Sequence, residues 1–445
     1  MIRTSRHTTK FSNTQKKDNL KLFISEYRRV AELLIDHIWS NGYEWIHRDE
    51  THRFDIKENQ LFLPSMLTST LIKEADIDTF LTGRAIKCCL TQVASMINSE
   101  VKKQKKRLFM LDKLKSEGQQ RSKRQQLIKK IKQNIPVKPD HTKMNPELNS
   151  ICCNFQDIES NEFDGFLRLT SITKTKTDIR VPVKHTRHSR RLMKKGKLMT
   201  SFLIRDDSID FRWDIPDTPK RTEGKTVGAD QGMLDVLTLS DTQVTPKQDC
   251  HGHSLSSIIK KLSQKKKGSR AFGKAQDHRE NFIHWSIKQL NLTGIRQINL
   301  ERIWNIGHKS RTSRNLSHWT NTLIRDKVES IAEELGVQVT HQSSTYRSQR
   351  CSDCGVVRKS NRKGKTFECH ECGLIIDSDY NASPNHEQSL PEIPWNFREL
   401  NLNRKGFVWS ELGLFDLDGR SLQSLLHVKT LEQKECTMCI LDDFR

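Results

Sequence analysis

Four cysteines have the spacing that most clearly indicates chemistry. They form two CxxC pairs, Cys351 with Cys354 and Cys369 with Cys372. Four thiolates in two such pairs can surround one structural Zn²⁺ ion tetrahedrally. Two disulfides or unrelated buried cysteines are the alternative, but each pair recurs as CxxCG around a short polar loop. Gly355 and Gly373 provide the residue tolerant of positive φ that a tight cysteine turn needs. The sequence therefore predicts one zinc site.

Acidic residues directly after the second pair indicate a different metal. Residues 374–376 are a short apolar run, and Asp377, Asp379 and Asn381 follow it. A carboxylate just past a buried strand and beside an asparagine is a plausible Mg²⁺ ligand. A lone Asp-x-Asp is otherwise a turn or a helix cap, so this segment alone decides nothing.

Two further acids lie upstream in a similar context. Asp230 follows a predicted strand in TVGADQGMLDVLTLSD, and Glu301 ends the predicted strand in IRQINLERI. An aspartate in the first hairpin of an α/β sheet can reach a metal between strands. For Asp230 alone, a role in the turn is an equal alternative.

The elements that must position these acids alternate between strand and helix. Residues 275–290 predict a helix between the two acidic strands. A second amphipathic helix presents Trp319, Leu323, Val328, Ile331 and Leu335 on one face. Val337 and Val339 then predict another strand before the cysteine pairs. The order is strand with Asp, helix, strand with Glu, helix, strand, cysteine module and Asp-x-Asn.

The N-terminal half has a different pattern. A first strand is predicted in MIRTSRHTTK, then helices at 15–41 and from about residue 78, and alternating strands from about 145 to 215. The second helix continues into a Lys- and Arg-rich stretch, Lys102 to Lys132. That stretch is either a solvated helical hairpin or a surface that follows a phosphate backbone. HTRHSRRLMKKGK, from His185, predicts a basic loop on the β-region.

Composition favours a polyanionic partner. The 445 residues suggest about three domains. Lys and Arg number 76 against 54 Asp and Glu, a net charge of +22 that favours nucleic acid over a merely cationic solubility surface. The hydrophobic fraction is a lean 34%, which predicts inserted or extended segments.

Cysteine usage and hydropathy predict a reducing compartment and no membrane span. The adjacent pairs Cys88-Cys89 and Cys152-Cys153 are unlike a secreted disulfide framework. No run of about 18 apolar residues exists, and the N-terminus lacks an apolar signal core. Cys436 and Cys439 form one more CxxC, interpreted as incidental because its surroundings offer no partner ligands.

Taken together, these motifs resemble the TnpB family of RNA-guided nucleases. GADQGMLDVLTLSD, INLER, SQRCSDCG with FECHECG, and DSDYNAS are similar to the family's RuvC-like core, over about residues 225–385. The family comprises the insertion-sequence protein TnpB, eukaryotic Fanzor and compact type V CRISPR effectors. No HNH motif is evident. The N-terminal half resembles the family in architecture only.

The resemblance implies an α/β and α+β multidomain chain with an RNase H-like (RuvC) nuclease core, a zinc ribbon, and a β-barrel wedge module carrying a helical recognition insert. It divides the chain into residues 1–15 and 140–222 for the wedge module, 16–139 for the insert, 223–345 and 376–400 for the nuclease domain, 346–375 for the zinc ribbon, and 401–445 for a C-terminal tail.

By the same resemblance, the catalytic carboxylates that bind magnesium are Asp230, Glu301 and Asp379. Asp379 is preferred over Asp377 because it stands two residues before an asparagine, as in the family. Two Mg²⁺ ions about 4 Å apart, held by carboxylates, suit phosphodiester hydrolysis. Asp235 is interpreted as a turn residue.

The chain departs from the family pattern near two of these acids. Ala229 and Gln231 replace larger apolar neighbours of the first aspartate. Pro384 interrupts a helix that the family continues. Since proline is tolerated only at a helix start, the helix is predicted to begin near Ser383.

The implied function is RNA-guided cleavage of double-stranded DNA, with a guide RNA as partner and a short flanking motif read by the protein. A homodimer on one RNA stays open. The expected location is intracellular, in a bacterial or archaeal cytoplasm or, for a eukaryotic protein, the nucleus. Two alternatives remain: a nuclease-dead, RNA-guided repressor, and a DNA transposase with an RNase H-like fold.

Overall fold

The structure is a computed structural model that describes residues 1–41, 77–116, 121–133, 138–158, 162–175, 179–303, 314–393 and 400–422. The chain divides into two compact units, Met1–Pro216 and Asp217–Arg445. Each unit combines helices with strands, so the predicted mixed α/β character is confirmed. Within the described ranges, no helix is long and apolar enough to cross a membrane.

The first unit is built on two antiparallel sheets. One has the order β1-β7-β6-β2, from Ile2–Thr8, Ser208–Asp214, Lys197–Ile204 and Glu147–Leu148. The other has the order β3-β4-β5, from Cys153–Asp157, Gly165–Leu169 and Ile179–Val183. β1 pairs with β7 from Ile2 opposite Asp214 to Thr8 opposite Ser208. The intervening helices are therefore inserted between two strands of one sheet.

In the part of this insertion that the structure describes, the helices are α1 (Thr14–Asn41), α2 (Gly83–Ser116) and α3 (Arg121–Gln133). One face of α1 is buried, with Phe23, Tyr27 and Val30 in the core, because apolar residues three and four apart share one helix face. Cys88-Cys89 and Cys152-Cys153 are buried free thiols in the same core.

The sequence predicted a loop for the basic stretch from His185, but part of this stretch is helical. Arg187–Met193 form a short helix, α4. The Thr186 hydroxyl accepts a hydrogen bond from the Ser189 backbone at 3.1 Å, which is a typical helix N-cap.

The second unit is centred on a sheet with the order β11-β10-β8-β9. Its strands are Gln338–Ser343, Ile295–Arg302, Lys225–Gln231 and Leu237–Leu239. β8, β10 and β11 are parallel, and β9 is antiparallel to β8. The helices are α5 (Leu255–Ser263), α6 (Arg270–Ile287), α7 (Arg314–His318) and α8 (Asn321–Leu335). Strands and helices alternate along this unit, as predicted. The helices form the crossover connections that parallel strands need.

Another helix, α9 (Ser378–Glu387), lies directly against β8. A Cβ at Gly228 would be 2.0 Å from the Ser383 carbonyl oxygen, so only glycine permits this approach. The predicted helix start near Ser383 is wrong, because the helix already begins at Ser378 and contains Pro384. Tertiary hydrogen bonds made by Asn381 and Asn385, described below, offset the bond that Pro384 cannot donate.

The cysteine module contributes two small sheets. One is β13-β14-β15, from Arg362–Lys363, Thr366–Glu368 and Ile375–Asp377. The other is β12-β16-β17, from Val356–Val357, Phe407–Ser410 and Gly413–Phe415. Part of the predicted C-terminal tail is thus a folded hairpin on this module, with Trp409 buried in its core. Cys436 and Cys439 lie outside the described residues.

Candidate active site and cysteine centre

The pairing of two parallel strands places Asp230 beside Glu301. The register of β8 and β10 ends with Ala229 opposite Leu300, so the next residue along each strand is one of the two acids. The Gln231 side-chain amide donates to the Glu301 carbonyl oxygen at 2.8 Å, which locks the two strand ends together. Asp230 is buried and Glu301 is half-buried.

Helix α9 brings the third acid to the same place. The Asp377 carboxylate caps the helix, accepting from the Asp379 backbone N–H at 2.8 Å. Asp379 is buried, and its Oδ2 lies 3.3 Å from the position of a Cβ on Gly232. Asp379 thus lies in a helical turn after a strand of the small β13-β14-β15 sheet. It does not end a strand of the β11-β10-β8-β9 sheet, which carries Asp230 and Glu301.

His386 is a member of the cluster that the sequence did not indicate. Its Nε2 lies 3.7 Å from Asp230 Oδ1, and the ligand atoms of Asp230, Glu301 and His386 all lie within 4.8 Å of one another. His386 follows Asp379 by seven residues, two helical turns, so both side chains share one face of α9. That i, i+7 spacing is the signal from which it was predictable.

Burial makes the ionised forms of these carboxylates costly. Desolvation raises the pKa of Asp230, and the neighbouring Asp379 raises it further. Desolvation and then the Asp230 charge hold the pKa of Glu301 well above its usual range. A divalent cation among these oxygens would relieve both effects, because it favours the charged carboxylates. The donor set of buried carboxylate oxygens therefore fits Mg²⁺.

Basic residues of the cysteine module flank the acids. The Lys365 ammonium group donates to Asp379 and, at 3.1 Å, to Asp235 Oδ2. Desolvation lowers the pKa of Lys365, but the hydrogen bonds to Asp379 and Asp235 outweigh it and leave that pKa raised. Arg362 Nη2 lies 4.0 Å from Asp379 Oδ1. Neither residue was predictable, because the sequence shows both only as members of an ordinary basic stretch. Asp235, interpreted as a turn residue, is buried at this site.

The four predicted cysteines converge on one point. Cys351 Sγ lies 3.6 Å from Cys372 Sγ, and Cys354 Sγ lies 3.5 Å from Cys369 Sγ. Zinc–sulfur bonds of about 2.3 Å place tetrahedral sulfurs roughly 3.8 Å apart, which the observed separations approach. Both glycines take positive φ, +78° at Gly355 and +77° at Gly373, as predicted. The cluster therefore fits a tetrahedral four-thiolate metal site.

Hydrogen bonds tie this centre to helix α9. The Arg350 backbone carbonyl accepts from the side-chain amides of Asn381 and Asn385, each at 2.8 Å. The Ser352 backbone N–H donates to Asn381 Oδ1 at 2.9 Å. Asn381 therefore joins the first cysteine turn to the helix that carries Asp379. Asn381, the asparagine noted in the sequence, therefore has a structural role in holding α9 in place and not the role of a metal ligand.

The segment that carries the four cysteines, Asp379 and His386 is similar to known proteins. Residues 323–386, from α8 to His386, match a family model described as "Cas12f1-like, TNB domain". A CRISPR-associated endodeoxyribonuclease Cas12f1 from Sulfoacidibacillus thermotolerans is 34% identical over 137 residues. A second Cas12f1, from Syntrophomonas palmitatica, is 30% identical over 125 residues. The resemblance to TnpB-like nucleases and compact type V effectors is confirmed.

These sequence matches are partial. They span 30% and 27% of this chain, and 31% and 24% of the two relatives. The cryo-EM structure of the Cas12f1-sgRNA-target DNA complex covers 84% of this chain and 83% of its own, with a TM-score of 0.53 and 13% identity. That similarity concerns the fold.

Proposed function

We propose that this chain is an RNA-guided DNA endonuclease. The observation that carries the proposal is the proximity of three acids. Ligand atoms of Asp230 and Glu301 lie within 4.8 Å of each other, and the Asp379 charge is near enough to add to desolvation in raising the pKa of both. In this proposal the unit Asp217–Arg445 contains the RuvC-like core and the zinc ribbon, and the β1-β7-β6-β2 sheet belongs to the wedge module. The name of the relatives, endodeoxyribonuclease, supports the reaction class.

The proposed chemistry is hydrolysis of a phosphodiester bond. Mg²⁺ bound here would supply an activated water and offset charge on the leaving oxygen. The three carboxylates would hold the metal, and His386 would fix the orientation of Asp230. Lys365, whose side chain is 36% exposed, offers positive charge to an incoming phosphate at the edge of the cluster. The four cysteines would hold a structural Zn²⁺.

The proposed partners are a guide RNA and a double-stranded DNA target. A relative's solved complex contains sgRNA and target DNA, and the charge of +22 on this chain suits binding to both. Base pairing would select the target, and the protein would read backbone shape and a short flanking motif.

Cleavage by carboxylate variants tests the proposal. The protein is loaded with RNA transcribed from its own locus and given a matching plasmid in Mg²⁺. Asp230→Ala and Glu301→Gln should each slow cleavage about 10²-fold or more, because several kcal/mol of metal-based charge stabilisation is lost. RNA and target binding should be unchanged. Asp326→Ala, which removes an exposed carboxylate from α8, is the matched control.

The control variant should cleave like the wild type. Wild-type protein that binds a guided target without cutting it in Mg²⁺ would favour the repressor alternative. Joining of transposon ends by the wild type would favour the transposase alternative.

A further inference from the structure

A second group of metal-ligating side chains lies outside the acidic cluster and the cysteine centre. It consists of Asp249 and His253, in the loop before α5, and His278, on α6. One ligand atom from each residue lies within 4.8 Å of the other two. His253 Nδ1 is 3.3 Å and His278 Nε2 is 4.0 Å from the same oxygen, Asp249 Oδ2. Three donor atoms from two elements therefore face one another.

The loop holds the aspartate in a fixed orientation. Asp249 Oδ1 accepts hydrogen bonds from the backbone N–H groups of His251 and His253, each at 2.9 Å. The other oxygen, Oδ2, is therefore turned towards the two imidazoles. A ligand carboxylate whose second oxygen is hydrogen-bonded in this way is typical of metal sites, because the outer bond fixes the ligand.

The distances suit a transition metal. Nitrogen and oxygen ligands lie about 2.0–2.2 Å from Zn²⁺, so tetrahedral ligand atoms lie roughly 3.3–3.6 Å apart. The separations of 3.3 and 4.0 Å bracket that value, and small side-chain rotations would equalise them. Imidazole nitrogen favours zinc and its first-row neighbours over Mg²⁺ and Ca²⁺, which prefer oxygen.

We propose that Asp249, His253 and His278 form a second Zn²⁺ site besides the cysteine centre, with solvent at the fourth position. All three residues are partly exposed, which leaves room for that water. Cys250 is exposed and is not among the converging ligands. His253 immediately precedes Ser254, the N-cap of α5, so the ion would clamp the entry of α5 to the middle of α6. The proposal does not depend on nuclease activity.

Asp249→Asn is the most informative variant. Its side-chain carbonyl keeps the role of Oδ1 in the turn, while the anionic ligand atom is lost. His278→Ala removes a ligand from the other element. His251→Ala is the matched control, because it changes an exposed histidine of the same loop that is not in the cluster.

Metal content and metal-dependent melting of the full chain test the site. Each protein is prepared without chelator, and its zinc is counted by mass spectrometry. Wild type and His251→Ala should each hold one zinc more per chain than Asp249→Asn and His278→Ala. Added Zn²⁺ should raise the melting temperature of chelator-treated wild type and His251→Ala more than that of the two ligand variants.

Three results would overturn the proposal. The first is equal zinc content in all four proteins. The second is loss of the extra zinc in His251→Ala. The third is a sulfur-to-cobalt charge-transfer band in the Co²⁺ difference spectrum between wild type and Asp249→Asn, which would show a thiolate in the site. If His278→Ala does not fold, Asp249→Asn alone decides the question.

Discussion

At the scale of single residues, the site depends on which of two neighbouring aspartates faces the acidic cluster. Asp377 and Asp379 are two residues apart, yet their carboxylates have different surroundings. Asp377 is half-buried and caps α9, whereas Asp379 is buried and bonded to Lys365. The structure therefore assigns a capping role to Asp377, and the proposed metal-binding role stays with Asp379.

Substitution of each aspartate should separate these roles. Asp379→Ala should abolish plasmid cleavage while RNA loading persists, because a metal ligand is lost. Asp377→Ala should retain cleavage and lose about 0.5–2 kcal/mol of stability, the usual contribution of an N-cap. Cleavage kinetics and urea denaturation of both variants measure the two effects. Activity that survives in Asp379→Ala and disappears in Asp377→Ala would reverse the assignment.

At the scale of elements, the approach of α9 to β8 decides whether the acids meet. Gly228 lies in β8 two residues before Asp230, and α9 passes over it at backbone contact distance. Asn385 and Asn381 hold the same helix to the cysteine module. A shift of α9 would move Asp379 and His386 together, since both lie on one face of it.

Gly228→Ala should therefore displace α9. The new methyl group would meet backbone atoms of Ser383 and Glu387, which cannot rotate away, so we expect a loss of about 1–3 kcal/mol of stability and a loss of cleavage. Gly273→Ala, in α6 with open space around its Cβ position, is the control. It should be neutral or stabilise by up to about 1 kcal/mol. Equal stabilities in urea denaturation would contradict the prediction.

The cysteine centre is a second element that can be tested. Cys351→Ser combined with Cys369→Ser removes one thiolate from each CxxC turn. This variant should contain one zinc fewer per chain than wild type, because a four-thiolate site needs both pairs. Metal analysis measures the difference. An unchanged zinc content would mean that these cysteines do not bind the metal.

At the scale of the whole molecule, the charge of +22 and the two compact units suggest that the units have different roles, one in cleavage and one in RNA binding. The candidate active site and cysteine centre lie in the second unit. The described residues of the basic stretch from Lys102 to Lys132 lie on α2 and α3 of the first unit. The proposed endonuclease would hold RNA largely through such phosphate contacts, which carry no sequence preference.

RNA binding should therefore weaken steeply with salt. Purified protein should retain RNA from its own locus, and affinity should fall by orders of magnitude between about 50 and 200 mM salt. A triple variant with Gln at Lys106, Arg124 and Lys129, all exposed on α2 and α3, should show a shallower salt slope. Changing the exposed residues Lys266, Lys267 and Lys274 of the second unit is the charge-matched control. An equal change in the salt slope for both variants would contradict the prediction that α2 and α3 contribute more to RNA binding than the control surface does.

The sequence by itself determined the local features of this protein. The CxxCG spacing predicted both the cysteine cluster and its two left-handed glycines, because those features depend on residues close together in the chain. Hydrophobic periodicity likewise predicted α1, α2, α6 and α8 and the strands of the central β11-β10-β8-β9 sheet. The start of α9 was missed because Pro384 argued for a helix boundary that long-range hydrogen bonds override.

Only the tertiary structure decided how distant residues combine. Lys365 and Asp235 meet at the acidic cluster through the packing of the cysteine module, which no local pattern encodes. The pairings of β1 with β7 and of β12 with β16 also depend on partners far away in the chain. The histidines of the proposed second Zn²⁺ site meet for the same reason, because the loop before α5 packs against α6.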